Sequence, residues 1–163
     1  RSRVQGRGPG SGGAALEDDD GWGGVIVDGV HVHPASLRVA LAAKPRGKVF
    51  LVTDAMPMVG AGDPSFALYG EVITALDGVV RNADGALAGS ALDMATAVRN
   101  CVDLLGLPLE EAARMAATYP ARFLGLGDRL GRIAPGLQAD LVLLDDALRV
   151  RSTWIAGARE DVA

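Results

Sequence analysis

The sequence predicts an α/β protein in which parallel strands alternate with helices. Residues 24–27 (GVIV) and 48–53 (KVFLVT) are short, continuously apolar runs, the pattern of strands that are covered on both faces of a sheet. Between them, residues 35–44 carry apolar side chains at helical spacing and stop before Pro45. A strand–helix–strand stretch of about 30 residues has the length of a βαβ unit, so we expect the two strands to be parallel.

The segments on either side of this unit carry turn and hairpin signals. Residues 1–23 are rich in glycine and acidic residues and are predicted to be loop, as are residues 54–64. Residues 66–88 are predicted to form β-hairpins, because Asp-Gly pairs at 77–78 and 84–85 are strong turn signals.

Two helices and a group of strands complete the chain. Ser90 and Asp93 form a capping-box pattern, so the first helix is expected to begin at Ser90 and to end at Gly106. Its apolar face would carry Met94, Val98, Cys101, Val102 and Leu105. The second helix would start with Pro108 in its first turn and end near Tyr119, where Pro120 blocks it. From Arg132 onward the pattern changes to strands.

Composition narrows the class of protein. The 163 residues are 49% hydrophobic and 22% charged, which is typical of a globular protein. The net charge of −4 argues against a nucleic-acid partner. A single cysteine cannot form an internal disulfide, and no apolar run reaches the roughly 18 residues of a membrane span. We therefore expect a cytoplasmic protein with no membrane partner. The start at Arg1, rather than Met, leads us to expect a segment of a longer protein.

Polar residues follow both predicted parallel strands, and these residues are the first candidates for chemistry. Asp28, Gly29, Val30 and His31 follow the first strand, and Asp54 follows the second. In (β/α) barrels, functional residues lie at such carboxyl ends of strands. Each group alone could equally be a plain turn or a helix cap. Their occurrence after consecutive strands favours a shared site.

Other polar residues are weaker candidates. His31 and His33 are the only histidines, and two ligands are too few for a metal site, so we interpret His31 as a substrate contact and His33 as a solvated loop residue. Gly89 and Ser90 could present free backbone N–H groups at a helix start, or simply cap it. Arg7 lies in a glycine-framed loop and could bind a phosphate, or be solvated.

The order of the motifs resembles the N-acetylglucosamine-6-phosphate deacetylase family of amidohydrolases. The motifs that carry the resemblance are Gly-Arg-x-Pro-Gly at 6–10, Asp-Gly-x-His at 28–31, Leu-Val-Thr-Asp-Ala at 51–55, Leu-Ala-Gly-Ser at 87–90 and Ala-Val-Arg-Asn at 97–100. Weaker motifs follow at 115–121, at 131–141 and at 153–157, and the last two are shared widely among amidohydrolases.

The resemblance implies a fold and a division of the chain. Residues 1–23 would be a loop region leading into a (β/α)₈ TIM-like barrel of the metal-dependent hydrolase type. Residues 24–130 would be the C-terminal part of that barrel, including its last two strands. Residues 131–163 would be the C-terminal strands of a small β-sandwich domain.

The resemblance also implies roles for individual residues. Asp54 would be catalytic, taking a proton from metal-bound water and delivering it to the amine leaving group. The substrate, N-acetylglucosamine 6-phosphate, would contact Arg7, which would grip its phosphate, together with Asp28, Gly29, Val30, His31, Leu87, Ala88 and Gly89.

The family's cofactor and assembly follow from the same resemblance. A divalent metal of the Zn or Fe class is expected, with its glutamate and histidine ligands on earlier barrel strands, so no metal ligand is expected within this chain. The full-length protein is expected to be a homodimer. Two alternatives stay open: another metal-dependent amidohydrolase, of the dihydroorotase or imidazolonepropionase type, and a non-catalytic remnant.

Overall fold

The computed structural model describes residues 7–68, 70–76, 79–82 and 84–161. Its helical segments are α1 (Gly10–Glu17), α2 (Pro34–Ala43), α3 (Met94–Leu105), α4 (Leu109–Ala113), a π turn (Arg114–Thr118) and α5 (Tyr119–Phe123). Its strands are β1 (Gly23–Val25), β2 (Val49–Leu51), β3 (Ser65–Leu68), β4 (Glu71–Leu76), β5 (Val79–Arg81), β6 (Leu87–Ser90), β7 (Leu141–Leu144), β8 (Val150–Ile155) and β9 (Ala158–Asp161).

The predicted βαβ unit is confirmed. Strands β1 and β2 pair in parallel, with Gly23 opposite Val49 and Val25 opposite Leu51, and α2 connects them. Beyond the ladder, the Val52 N–H donates to the Val25 carbonyl at 3.0 Å. The carboxyl ends of both strands therefore meet at one edge. The main core lies under these strands and contains the buried side chains of Val27, Leu37, Leu51, Cys101 and Met115.

A helix occupies part of the segment predicted to be loop. Helix α1 contains three glycines and no buried residue, so neither its composition nor its periodicity predicts it. Its partner comes from α2: the Lys44 ammonium, in a side chain only 6% exposed, donates to the carbonyls of Ala15 and Asp18. A cation at these terminal carbonyls stabilises the helix end.

Strands β3 to β6 form an antiparallel sheet in sequential order. The hairpin predicted at 84–85 is confirmed, because Gly85 has φ of 78° and its N–H donates to the Asn82 carbonyl at 2.9 Å. The Asp-Gly pair at 77–78 lies outside the described residues. A second cluster of buried side chains, Met58, Ile73 and Val80, lies under this sheet.

Helix α3 begins three residues later than predicted. Its N-cap is Asp93, whose carboxylate accepts from the Thr96 N–H at 2.8 Å, whereas Ser90 belongs to β6. The predicted apolar face is confirmed for the buried side chains of Val98, Cys101 and Leu105. The helix ends at Gly106, as predicted, and this glycine has the left-handed conformation that is common at helix ends.

The second predicted helix does not end at Pro120. Pro108 is the N-cap of α4, and the π turn leads directly into α5, which contains Pro120 in its first turn and continues to Phe123. A charged cluster lies at α4. The Glu111 carboxylate accepts hydrogen bonds from the guanidinium groups of Arg46 and Arg114 and, at 2.7 Å, from the Tyr119 hydroxyl.

Strands β7, β8 and β9 form an antiparallel meander, which confirms strands after Arg132. The chain enters it through Gly131, which has φ of 93° and whose carbonyl accepts from the Thr118 hydroxyl at 2.6 Å. A Cβ at Gly131 would lie 2.7 Å from the Ala121 Cβ and 2.9 Å from the Ala117 carbonyl oxygen. Among the described residues, no helix has the length and apolar character needed to cross a membrane.

Candidate active site

Asp54 lies at the carboxyl end of β2, where the sequence placed the catalytic carboxylate. Asp54 is exposed, and its backbone φ of 52° lies in the left-handed region. A non-glycine residue in this region costs on the order of 1 kcal/mol or more, and such strain concentrates at functional sites. The strand end therefore presents a carboxylate to solvent on a strained backbone.

The backbone of Asp54 is held by β6. The Ser90 N–H donates to the Asp54 carbonyl at 2.8 Å, and the Met56 N–H donates to the Ser90 carbonyl at 2.9 Å. Ala55 and Ser90 accordingly form a parallel bridge. The Ser90 hydroxyl donates to the Thr53 carbonyl and accepts from the Leu92 N–H at 3.1 Å. Ser90, which is 1% exposed, thus bonds on both sides of the Asp54 peptide.

The neighbouring strand end carries a second organised carboxylate. Asp28 accepts from the N–H groups of Val30 and His31, each at 2.9 Å, and its other oxygen lies 2.5 Å from the His31 Nδ1. Burial by itself would raise the pKa of Asp28, but the hydrogen bonds from His31 and Val30 hold this pKa below its usual value. Asp28 is therefore an anion that fixes the orientation of the His31 imidazole.

Helix α3 supports this strand end from below. Asn100 donates from Nδ2 to the Val27 carbonyl at 2.8 Å, one residue before Asp28. Because β1 and β2 are parallel, the turn at Asp28 and the turn at Asp54 leave the sheet at the same edge. The structure therefore brings these two predicted groups to one side of the molecule.

The residues predicted on β6 lie beside Asp54. Leu87, Ala88 and Gly89 are half-buried, and Gly89 has φ of 86°. This positive φ favours glycine, and a Cβ there would lie 2.6 Å from the Met56 Cγ, so the Met56 side chain would have to move. The interpretation of Gly89 and Ser90 as a helix start with free N–H groups is wrong, because Ser90 ends a strand and its N–H is bonded to Asp54.

The remaining predicted residues lie differently. His33 is exposed in the loop before α2, as predicted, and its Nδ1 also accepts from the Ala35 N–H at 3.1 Å, which caps the helix. Arg7 is exposed, two residues before Pro9, the N-cap of α1, and its phosphate contact stays a prediction.

Sequence reasoning missed the supporting roles of Ser90 and Asn100. Ser90 matches a local capping pattern, but its hydroxyl is bonded to the carbonyl of Thr53, 37 positions earlier in the chain. Asn100 had a usable signal, because an amide beside the buried face of an amphipathic helix requires a partner.

Comparisons with known proteins identify the family of this chain. Residues 11–159 match the model of the amidohydrolase family. Two relatives from Escherichia coli, strains K12 and O157:H7, are each 44% identical over 93% of this chain and are named N-acetylgalactosamine-6-phosphate deacetylase, provisionally in K12. The chain spans 90% of the K12 relative but only 40% of the O157:H7 relative.

A solved structure gives the same relationship in three dimensions. The N-acetylglucosamine-6-phosphate deacetylase of Pasteurella multocida superposes with a TM-score of 0.92 at 34% identity. The match covers 98% of this chain and 42% of that one. With its fold, its strand-end carboxylates and a family match over nearly its whole length, this chain belongs to the amidohydrolase family.

Proposed function

We propose that this chain forms part of an enzyme that hydrolyses N-acetylglucosamine 6-phosphate to glucosamine 6-phosphate and acetate. The observation that carries the proposal is similarity over 93–98% of the chain to proteins named as deacetylases of N-acetylhexosamine 6-phosphates. Because the chain spans 42% of the structure it matches, we propose the activity for the full-length gene product rather than for these residues alone.

In this reaction Asp54 would move the proton. Hydrolysis of the amide requires water to add to the acetyl carbonyl while losing a proton, and the departing sugar nitrogen to gain one. An exposed carboxylate at a strand end can accept the first proton and donate it to the nitrogen, so one group serves both steps. The left-handed backbone of Asp54, a conformation that Leu148 and Ala156 also adopt in turns of the last sheet, fixes the direction in which its side chain leaves the strand end.

The neighbouring groups would bind the sugar phosphate. The Asp28 carboxylate fixes His31 through Nδ1, so a contact from the imidazole to the substrate would use Nε2. The backbone of Leu87, Ala88 and Gly89 would contact the substrate beside Asp54. Arg7 would supply the cation for the phosphate, in the bidentate manner that guanidinium groups favour.

We further propose that β1 and β2 are the last two strands of a (β/α)₈ barrel, and that the β7–β9 sheet belongs to a small β-sandwich. Amidohydrolases are generally metal-dependent. The described residues contain no group of three or more His, Cys, Asp or Glu side chains placed to hold an ion. Both histidine Nδ1 atoms are also engaged within the chain. These residues do not fit a metal site, so none of the steps proposed above passes through a metal.

N-Acetylgalactosamine 6-phosphate is the second candidate substrate. The relatives named for that activity are up to 44% identical to this chain, and those named for N-acetylglucosamine 6-phosphate are up to 43% identical, so both sugars are candidates. The two sugars differ only in the configuration at C4, while the amide and the phosphate are shared. Asp54 and Arg7 would therefore keep the same roles with either sugar.

The test measures acetate release from both sugar phosphates and from unphosphorylated N-acetylglucosamine. We expect hydrolysis of at least one phosphorylated sugar, loss of most of kcat in Asp54→Asn, and a raised KM in Arg7→Ala for phosphorylated substrate alone. Hydrolysis of a cyclic amide without acetate release would favour the other amidohydrolase types. Full activity in Asp54→Asn would remove this residue from the mechanism.

A further inference from the structure

Ser90 bonds to the Asp54 turn through its backbone and through its side chain. Strand β6 pairs with β5 at Val79 opposite Ser90 and at Arg81 opposite Leu87, with a shift in register between them. Ser90 also forms a parallel bridge with Ala55, which follows β2 in the chain. Ser90 therefore joins the antiparallel sheet to the end of β2.

Three hydrogen bonds of Ser90 restrain the three consecutive peptide groups between Thr53 and Met56. The Ser90 N–H holds the Asp54 carbonyl, its hydroxyl holds the Thr53 carbonyl, and its own carbonyl receives the Met56 N–H. Carbonyls before and after the Cα of Asp54 are thus both fixed, which determines φ and ψ at that residue. A buried hydroxyl with its donor and acceptor both used is a rigid anchor.

This restraint matters because the Asp54 backbone is otherwise unfavourable. With φ of 52°, a non-glycine residue would relax toward negative φ if its neighbours allowed it. Such a relaxation rotates the Cα–Cβ bond and so redirects the carboxylate. A misplacement of about 1 Å in a reacting group can lower a rate up to about a hundredfold.

We infer that Ser90 is a positioning residue that holds Asp54 in its left-handed conformation and thereby aims the catalytic carboxylate. The inference rests on the proposed function, in which Asp54 transfers the proton. Ser90 itself touches neither substrate nor the reacting atoms. It acts through the Thr53 and Asp54 carbonyls.

The experiment compares Ser90→Ala with a matched control in the full-length gene product. Ser90→Ala removes the hydroxyl and leaves the backbone N–H bond. We expect kcat for N-acetylhexosamine 6-phosphate to fall about tenfold while KM changes less than about twofold, because aim is lost and binding is not. Ser152→Ala is the control: this serine on β8 is 2% exposed, so its hydroxyl is equally buried but remote from Asp54. It should leave kcat unchanged.

A double-mutant cycle separates positioning from general loss of structure. In an Asp54→Asn background, assayed at high enzyme concentration, Ser90→Ala should add less than about a twofold further loss, since its effect passes through the carboxylate. If Ser90→Ala does not fold, Ser90→Cys keeps the volume with a weaker donor and should show the same split at smaller size.

Each outcome decides between the inferences. Unchanged kcat in folded Ser90→Ala, equal losses in Ser90→Ala and Ser152→Ala, or losses that multiply with Asp54→Asn would overturn the positioning role. An unaltered protein without deacetylase activity would overturn the proposed function instead. An active protein with an indifferent Ser90 would overturn this inference alone.

Discussion

The charged cluster around Glu111 should set the acid stability of the helical segment. The Glu111 side chain is 14% exposed and accepts hydrogen bonds from two guanidinium groups and one phenol hydroxyl. Burial alone would raise the pKa of Glu111, but the bonds from Arg46, Tyr119 and Arg114 lower it to about 2, from 4.5 for a free carboxyl. A lowered pKa means that folding favours the charged form, so the cluster stabilises the protein wherever the carboxyl is ionised.

The magnitude follows from that difference. A fall from 4.5 to about 2 corresponds to about 3 kcal/mol of stability at neutral pH, at 1.36 kcal/mol per pKa unit. The Arg46 side chain is 70% exposed, so water and salt screen its share. We therefore expect Glu111→Gln to lower the free energy of unfolding by about 1–2 kcal/mol at pH 7.

The sign of the pH dependence gives the sharper test. The stabilisation is complete above about pH 5 and is lost as pH falls through the folded pKa near 2. In urea unfolding followed by circular dichroism, the difference in unfolding free energy between the parent and Glu111→Gln should shrink by more than half between pH 7 and pH 3. Glu110→Gln is the matched control, because Glu110 is adjacent on α4 but exposed, and it should change little. A gap of equal size at both pH values would refute the electrostatic reasoning.

Three further predictions concern single residues. Asp54→Gly should raise the free energy of unfolding by about 1 kcal/mol while abolishing acetate release, because glycine adopts positive φ without strain; a melting temperature at or below that of the parent would contradict this. Lys44→Met should lower the free energy of unfolding by about 1–2 kcal/mol, because the Ala15 and Asp18 carbonyls lose a charged donor. Amide hydrogen exchange should become faster in α1 before it does elsewhere. An equal increase in exchange along the whole chain would contradict this role of Lys44. Burial raises the pKa of the Cys101 thiol to about 11. A thiol reagent at pH 8 should therefore modify Cys101 in urea and not in the native protein. Rapid labelling of the native protein would contradict the burial of Cys101.

The sequence predicts the elements whose signals are local. The βαβ unit follows from two apolar runs and a helical period, and Asp54 follows from its place after the second run. The apolar face and the glycine end of α3 are predictable for the same reason. In each case the residues that determine the structure lie within one element.

The elements that were missed depend on partners far along the chain. Helix α1 has too many glycines to be predicted, and it is stabilised by Lys44, 26 to 29 residues away. Ser90 matches a helix cap locally, but its hydroxyl is bonded at Thr53 instead. The π turn before Pro120 has no sequence period of its own, because it forms where two helical segments must join around a proline.

At Gly131, in the segment that leads to the last sheet, the backbone packs directly against the helical segment. The Gly131 Cα faces Ala121 and the Ala117 carbonyl with no room for a methyl group, and Thr118 bonds its carbonyl. A side chain there would collide with Ala121 and with the Ala117 carbonyl. Substitution at Gly131 should therefore displace the loop that leads into the β7–β9 sheet from the end of the helical segment.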